Sequence, residues 1–370
     1  MPTTLDDLRR LAVTRSLFAP ATLKRALQKF GFVQADPIRS PARAQDLILR
    51  HRVNNYRAGD LERQYAKLGI EEDFFINYGF VTRSLQALMH PRLDSCAPAQ
   101  SSLLGPAASR KRVQLLLDFI RERGEAHPRE VDEHFPHGKV KNYWGGSSNA
   151  TTYLLDAMHY RGLLRIVRRD GGIRVYAAHQ HQPRPSYDAN LCRTQLDALA
   201  DVAIRIYAPL PGRSLSVLIR RLRYAVPQWE NELTSALQRA KQRLSHMQVD
   251  GVDWYWPAET DADNSASTDS VRLLAPFDPV VWDRARFELL WGWEYRFEAY
   301  TPSAKRVRGY YALPLLWRNH IIGWGNLSVK NGELQSEFGY VKLQPRDRIF
   351  KRELEAELNR MRIFLGFELI

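Results

Sequence analysis

The sequence predicts an α+β protein in which tandem winged helix-turn-helix domains precede a C-terminal antiparallel β-sheet or barrel domain. Residues 108–182 contain three helical patterns followed by two β-prone runs that meet at "DGG", a strong hairpin signal. Residues 190–258 partly repeat that order, with a short hairpin at Asp250-Gly251. From about residue 270, β-prone runs are separated by turns, which is typical of an antiparallel sheet.

A first, helical or winged-helix domain is expected over residues 1–100. Its elements are two short helices, in "LDDLRRLAVTRSLF" and in "TLKRALQKFGF" with Thr22 as the cap, then the helical patterns "ARAQDLILRHRVNNY" and "AGDLERQYAKLG". The aromatic segment "DFFINYGFVTRSLQALMHPR" ends in a turn at Pro91. The linker "APAQSSLLGPAASR", around residues 97–109, marks the boundary because it is rich in Ser, Ala, Gly and Pro.

The remaining elements follow in order. The second domain has helices in "KRVQLLLDFIRERG", "HPREVDEHF" and "SSNATTYLLDAMHYRGLL", the last capped by Ser147 or Ser148. The third domain ends before "AETDADNSASTDS", an acidic segment that we expect to be a loop. In the last domain, residues 270–370, strands are predicted in "YRFEAYTP", "RGYYALPLLW", "HIIGWGNLSVK" and "ELQSEFGYVKL", followed by a C-terminal helix.

Composition favours a nucleic-acid partner. The chain has 370 residues and a formal charge of +13, an excess that attracts a polyanion, with an anionic membrane surface as the second choice. No apolar run approaches the roughly 18 residues of a membrane span, and the N-terminus does not read as a secretory signal, so we expect a cytoplasmic, nucleoid-associated protein. Cys96 and Cys192 stand alone, which predicts reduced thiols and neither a disulfide nor a metal site.

Motifs for several enzyme classes are missing from the sequence. It contains no phosphate-binding loop that ends in Gly-Lys-Ser/Thr, no His-Glu-x-x-His and no Gly-x-Ser-x-Gly. Nucleotide hydrolysis, zinc proteolysis and ester hydrolysis therefore lose support.

The segment "FVQADPIR" carries a candidate catalytic pair, Gln34 and Asp36. Side chains two residues apart project to one face of an extended segment, so both could hold one water molecule. A carboxylate at that position could also stabilise the positive charge that develops on a sugar when a glycosidic bond breaks. The alternative is the polar face of an exposed strand or turn.

Arginines in two regions are candidates for DNA phosphate contacts. Arg39 and Arg43 follow the pair directly, and Arg168 and Arg169 lie on the predicted hairpin of the second domain. For each of them, a solvated surface charge remains the alternative.

Three stretches resemble the winged-helix DNA glycosylases of the AlkZ and YcaQ type, over nearly the whole chain. "GFVQADPI" is similar to the Gly-x-x-Gln-x-Asp-x-Ile segment of the YcaQ-like branch, and "YLLDAMHYRGLLRIVRRDGGIRVYAAH" is similar to the second winged helix. The most specific stretch is "LLAPFDPVVWDRARFELLWGWEYRFEAYTPSAKRVRGYYALPLLWRNHIIG", where Pro-Phe-Asp-Pro, Lys305-Arg306 and Gly-Tyr-Tyr-x-Leu-Pro fall as in the family.

The resemblance implies monofunctional base excision, with water as the nucleophile, no lysine Schiff base and no cofactor. Gln34 and Asp36 would take the catalytic places, and Lys305 and Arg306 join the expected DNA contacts. The implied substrate is double-stranded DNA with N-alkylated purines, particularly N7-alkylguanine, or interstrand crosslinks. We expect a monomer.

The chain departs from the family pattern at three places around the pair. Ala35 replaces a bulkier aliphatic residue, Gln45 stands where an Arg-x-His step often has histidine, and Val81 ends the segment usually written Glu-Tyr-Trp-x-His. These differences bear on substrate range and on activity itself.

Two other functions stay open. The first is a DNA-binding protein without catalysis, such as a transcriptional regulator or a damage sensor. The second treats five tryptophans as a stacking platform for single strands, although tryptophans more often fill cores and interfaces; they are Trp254, Trp256, Trp282, Trp291 and Trp293.

Overall fold

A computed structural model describes residues 3–90, 92, 108–135, 138–141, 147–179, 188–258 and 269–367. Its α-helices are α1 (Leu5–Ser16), α2 (Leu23–Phe30), α3 (Ala44–Leu49), α4 (Asp60–Gln64), α5 (Arg83–Met89), α6 (Ala108–Arg123), α7 (Pro128–His134), α8 (Ala150–Tyr160), α9 (Ala189–Tyr207), α10 (Gly212–Arg221), α11 (Leu233–Arg243), α12 (Arg284–Trp291) and α13 (Arg348–Leu365). Its strands are β1 (Phe32–Gln34), β2 (Ile70–Phe74), β3 (Tyr78–Thr82), β4 (Lys139–Lys141), β5 (Ser147–Asn149), β6 (Leu164–Asp170), β7 (Ile173–Ala178), β8 (Leu210–Pro211), β9 (Leu244–Val249), β10 (Val252–Pro257), β11 (Val271–Leu273), β12 (Leu313–Trp317), β13 (His320–Lys330) and β14 (Glu333–Tyr340).

The strands pair into small antiparallel sheets. One has the order β1-β3-β2, another the order β8-β10-β9, and the C-terminal sheet has four strands in the order β11-β12-β13-β14. Two-stranded sheets are formed by β4 with β5 and by β6 with β7. The protein is therefore a mixed α and β fold with antiparallel sheets, as the sequence predicts.

Two hydrophobic cores are relevant to the site. The larger core collects apolar side chains from α1, α2, α9, α10, α11, the C-terminal sheet and α13, so the first, third and last quarters of the chain share one interior. A separate core lies between α6, α7, α8, β6 and β7. The proposed domain boundaries stay a prediction, since the linker at 97–107 and the acidic segment at 259–268 lie outside the described residues.

Buried arginines join distant segments of the larger core. The guanidinium of Arg52 donates to both carboxylate oxygens of Asp278, at 2.8 and 3.0 Å, and both side chains are fully buried. Arg52 also donates to the backbone carbonyl of Ser16 at 2.8 Å. Through Asp278, the Pro-Phe-Asp-Pro motif thus links the C-terminal part of the chain to Arg52 and Ser16 in its N-terminal part.

Most helices and both central hairpins agree with the sequence predictions. Thr22 caps α2, with its hydroxyl accepting from the backbone N–H of Arg25 at 3.4 Å. The order α6, α7, α8, β6, β7 occurs as predicted, as does the order α9, α10, α11, β9, β10. The turns Gly171-Gly172 and Asp250-Gly251 have positive φ angles, which explains their residue choice.

Three sequence predictions of local structure are wrong. Asn149, rather than Ser147 or Ser148, caps α8, because its side chain accepts from the backbone N–H groups of Thr151 and Thr152. The pattern over residues 42–56 gives only the short α3, since the chain then turns to pair Val53 with Ala21.

The third error concerns "YRFEAYTP", residues 295–302, which contains no strand. Val271–Leu273 instead forms the edge of the C-terminal sheet. The buried carboxylate of Glu298 accepts from the backbone N–H groups of Val307, Arg308 and Gly309, and these contacts fold residues 298–309 back as a loop.

Candidate active site

Strand β1 positions the two residues of the candidate pair. Gln34 is the last residue of β1 and lies opposite Gly79 of β3. Beyond it, the backbone N–H of Ala35 donates to the carbonyl of Tyr78 at 3.1 Å. A side chain at Gly79 would place its Cβ 2.3 Å from the carbonyl oxygen of Val33 and 2.9 Å from the Cα of Gln34. Glycine is therefore required at this position if β3 is to approach the strand that carries the pair.

The chain turns away at Asp36. The Asp36 carboxylate accepts from the backbone N–H of Ile38 at 2.9 Å, across Pro37. Burial raises the pKa of Asp36, and the Ile38 hydrogen bond only partly opposes that effect. The carboxylate is thus half-buried and a better proton acceptor than an ordinary aspartate.

Gln34 leaves an acceptor unused beside this carboxylate. Its side chain is buried, with 6% of its surface exposed, and its Oε1 atom accepts no hydrogen bond from any described residue. A buried amide oxygen without a protein donor costs free energy unless a water molecule donates to it, so this atom is a position at which water can bind.

Two tyrosines from the C-terminal part of the chain join the site. Tyr311 belongs to the core against which Ala35 and Ile38, the residues that flank Asp36, also pack. Desolvation and then the charge of Asp36 raise the pKa values of Tyr311 and Tyr300, so both phenols are within electrostatic range of that carboxylate. The Tyr311 hydroxyl is buried and, within the described part of the chain, has no hydrogen-bond partner. Phe297 contacts both rings edge-on, with centroid distances of 6.0 Å to Tyr300 and 5.3 Å to Tyr311. No sequence pattern predicts this proximity, because more than 260 residues separate the tyrosines from Asp36.

The loop that carries Tyr300 also presents the predicted contacts Lys305 and Arg306. The Glu298 carboxylate holds this loop in place. Burial opposes its ionisation, but the backbone hydrogen bonds from Arg308, Val307 and Gly309 outweigh burial and lower the pKa of Glu298. Lys305 is exposed, whereas Arg306 donates to the carbonyl of Thr301 at 2.8 Å. Both cations therefore lie on the same loop as a tyrosine of the site.

Arg39 and Arg43 follow the pair in the chain. Arg39 is exposed, and Arg43 forms an ion pair with Glu62. Burial and then the charges of Arg39 and Arg169 lower the pKa of Arg43, so these three guanidinium groups form one basic region, in which Arg43 and Arg169 are each paired with a glutamate. A Cβ atom added at Gly172 would lie 3.4 Å from the Arg43 guanidinium, which puts the β6–β7 turn next to this region.

Arg168 and Arg169 have different surroundings. Arg168 is 46% exposed and pairs with Glu125 at 3.0 Å and with Asp170 at 3.3 Å. Arg169 is only 18% exposed, binds the buried Glu72 through two nitrogen atoms, and donates to the Gly172 carbonyl at 2.8 Å. The described structure thus gives Arg169 an internal partner, whereas Arg168 faces solvent.

Strand β2 contains a set of buried carboxylates that the sequence analysis missed. Arg165 binds Glu71 at 2.8 Å, and Arg92 binds Asp73 at 2.9 Å. Together with the pair formed by Arg169 and Glu72, these contacts neutralise three consecutive acidic residues. The run Glu-Glu-Asp in an apolar strand was the available signal, since buried carboxylates need cationic partners.

The three departures from the family pattern occupy interior positions. Val81 is fully buried in the core of the first sheet, and Ala35 packs against the same core. Gln45, on α3, is 2% exposed, and its Oε1 atom receives no hydrogen bond within the described part of the chain.

The tryptophans proposed as a stacking platform serve mainly as core. Trp254 and Trp256 are 1% and 2% exposed. The indole N–H groups of Trp291 and Trp293 donate to the carbonyls of Asn319 and Ile321, at 2.9 and 3.0 Å. Trp282 packs against Tyr207, with the ring centroids 4.7 Å apart.

Neither a metal cluster nor a membrane-spanning helix occurs among the described residues. They contain no group of three or more His, Cys, Asp or Glu side chains arranged to hold a metal ion. None of their helices is long and apolar enough to cross a bilayer. Cys192 is buried, and Cys96 lies outside the described residues.

Comparison with known proteins defines the class of this enzyme as a DNA glycosylase. The model of a family described as "DNA glycosylase AlkZ-like" matches residues 27–364. The fold is similar to that of the DNA glycosylase AlkZ of Streptomyces sahachiroi, with a TM-score of 0.62, 15% sequence identity, and coverage of 99% of this chain and 98% of that one. The chain belongs to the AlkZ-like DNA glycosylase family.

Proposed function

We propose that this DNA glycosylase excises N-alkylated purines, above all N7-alkylguanine, from double-stranded DNA and unhooks interstrand crosslinks through the same bond. One observation carries the proposal: a buried amide oxygen without a donor, on Gln34, lies two residues from a carboxylate whose pKa is raised. This arrangement suits the capture and activation of one water molecule.

The proposed reaction hydrolyses the N-glycosidic bond without a covalent enzyme intermediate. The bond between C1′ and N9 breaks, and its electron pair moves to the base, so the cationic N7-alkylguanine leaves as a neutral molecule. The sugar develops positive charge, which the Asp36 carboxylate stabilises. A water oxygen held by the Gln34 amide then bonds to C1′ as Asp36 accepts the water proton. Because the base departs neutral, the reaction needs little help from a general acid.

Binding of the duplex is assigned to basic residues around the pair. The helix and hairpin orders over residues 108–178 and 189–257 support two winged helices, whose hairpins can reach DNA phosphates. Arg39, Arg43, Arg168, Lys305 and Arg306 are the proposed phosphate contacts. Arg169 holds the hairpin formed by β6 and β7 against β2. We also assign to Arg169 a direct contact with DNA. The expected signature is binding that weakens steeply with added salt.

The test is base release from duplexes that contain 7-methylguanine, 3-methyladenine or an N7 crosslink. We expect release of 7-methylguanine by the native enzyme and its loss in Asp36→Asn. Asp250→Asn is the matched control, since Asp250 is an exposed carboxylate at the β9–β10 turn, where a positive φ suits asparagine equally well. Full activity of Asp36→Asn would refute the mechanism.

The same assay separates the enzyme from a DNA-binding protein without catalysis. Sequence-specific binding with no release from any alkylated substrate would favour a regulator or damage sensor. We further propose that the enzyme acts as a monomer in the cytoplasm, beside the nucleoid that contains its substrate.

A further inference from the structure

Tyr300 is an exposed aromatic residue at the mouth of the candidate active site. Its side chain is 78% exposed. Phe297, which contacts the Tyr300 ring, packs against the same core as Ala35 and Ile38, the residues that flank Asp36. Desolvation and then the charge of Asp36 raise the pKa of Tyr300, in agreement with this placement. Phe297 supports the ring from one edge, with planes inclined at 76°. A large aromatic group kept in solvent at this position has a face available for a ligand.

The neighbouring tyrosines are less available to a ligand. Arg306 lies 5.0 Å from the centroid of the Tyr310 ring, so a cation of the protein covers one face of that ring. Tyr311 is 2% exposed, so its ring is buried. Among the described residues, no Lys or Arg lies over the Tyr300 ring in the same way.

The charge of the substrate determines what this face would bind. Guanine alkylated at N7 carries a positive charge, whereas an undamaged guanine is neutral. The face of an aromatic ring attracts cations, and the negative charge of Asp36 adds to the attraction of the site for a cation. Stacking on Tyr300 would therefore favour the alkylated base over the bases that surround it.

We propose that Tyr300 stacks against the alkylated base and selects it by its positive charge, as a specificity-determining residue. This inference rests on the proposed function, because it assumes that a cationic base reaches Asp36. It concerns recognition before the bond breaks, and it assigns to Tyr300 no proton transfer and no contact with the attacking water.

Equilibrium binding to an uncleavable substrate tests this role. In the probe duplex, one N7-methylguanine stands on a 2′-fluorinated sugar, which blocks departure of the base. The reference duplex is identical except that its guanine lacks the methyl group. The native enzyme should prefer the methylated duplex, and Tyr300→Leu should reduce that preference by about two- to fivefold. Tyr300→Phe keeps the ring and should retain the preference.

Tyr310→Leu is the matched control, because it removes an adjacent tyrosine that has one face already covered. It should leave the preference unchanged. Thermal unfolding of each variant confirms that the exposed substitutions do not disturb the fold.

Several results would overturn the inference. If Tyr300→Leu weakens the binding of both duplexes equally, Tyr300 is a general stacking contact and does not select the alkylated base. Loss of the preference in Tyr300→Phe would assign recognition to the hydroxyl instead of the ring. If the native enzyme releases 7-methylguanine but Tyr300→Leu keeps the full preference, this inference fails alone. If the native enzyme releases no 7-methylguanine, the proposed function fails and this inference fails with it.

Discussion

Asp36 lies between solvent and the protein interior, and this position sets how the enzyme should respond to pH. Because burial raises its pKa, the carboxylate becomes protonated at a higher pH than an ordinary aspartate, for which the pKa is about 3.9. We expect base release to fall on the acid side at a pH above that value. Single-turnover rates from pH 4 to 8, after subtraction of spontaneous release, measure this decrease in rate at low pH. Asp36→Asn should show neither the decrease nor appreciable release.

The same shift predicts a cost in stability. A group whose pKa is higher in the folded than in the unfolded state stabilises the fold below its unfolded pKa, and this contribution is lost as pH rises through the folded pKa. At pH 7 the ionised Asp36 should therefore destabilise the protein. Asp36→Asn is expected to raise the melting temperature at pH 7 and to change it little well below pH 4. A lower melting temperature at pH 7 would contradict the assigned burial.

Tyr311 and Tyr295 form a matched pair of buried tyrosines with different hydroxyl environments. The Tyr295 hydroxyl donates to the carbonyl of Ala312 at 2.6 Å, whereas the Tyr311 hydroxyl is buried without a partner among the described residues. If the Tyr311 hydroxyl binds the attacking water, Tyr311→Phe should slow base release by about three- to tenfold, the value of one hydrogen bond, without loss of stability.

Tyr295→Phe should give the opposite result. It should lower the free energy of unfolding by about 1 kcal/mol and leave the rate of release nearly unchanged. Single-turnover kinetics and urea unfolding of both variants provide the comparison. Equal effects of the two substitutions would remove the special role of Tyr311.

At the scale of elements, β2 explains why two adjacent arginines should behave differently. Arg169→Met leaves the buried Glu72 without its cation and should lower the free energy of unfolding by about 3–5 kcal/mol. Arg168→Met removes an exposed charge and should leave stability within about 0.5 kcal/mol. If Arg168 contacts a phosphate, its loss should reduce the salt dependence of duplex binding by about one unit of slope. A stable Arg169→Met protein would show that the ion pair with Glu72 is dispensable.

What the sequence could predict depended on whether the relevant contacts are local. Gln34 and Asp36 were identifiable because their alternation, and the proline after them, are local properties of the chain. Arg169 was assigned to DNA because its partner Glu72 is 97 residues away. The segment around Tyr300 was predicted as a strand because its own pattern is β-like, and the hydrogen bonds of Glu298 to residues 307–309 override that pattern.

At the scale of the whole molecule, Arg92 joins three parts of the chain. Its guanidinium binds Asp73, and it donates to the carbonyls of Tyr160 and Ala225, at 2.6 and 2.7 Å. Arg92→Met should lower the free energy of unfolding by about 3–5 kcal/mol, because Asp73 would remain buried without its principal cation. Urea unfolding measures this loss, and Arg83→Met, at a largely exposed partner of Glu71, is the control. A loss below about 1 kcal/mol would show that His90 and Gln86 together suffice for Asp73.

The division of the site between the two ends of the chain has a consequence for biosynthesis. Asp36 leaves the ribosome early, but Tyr300 and Tyr311 leave it after most of the protein has been made. A nascent chain can therefore expose its carboxylate and many of its cations to nucleic acid long before the site is complete. An enzyme that removes bases from DNA would gain from this order, because a partial translation product lacks the C-terminal half of the core against which the catalytic segment packs.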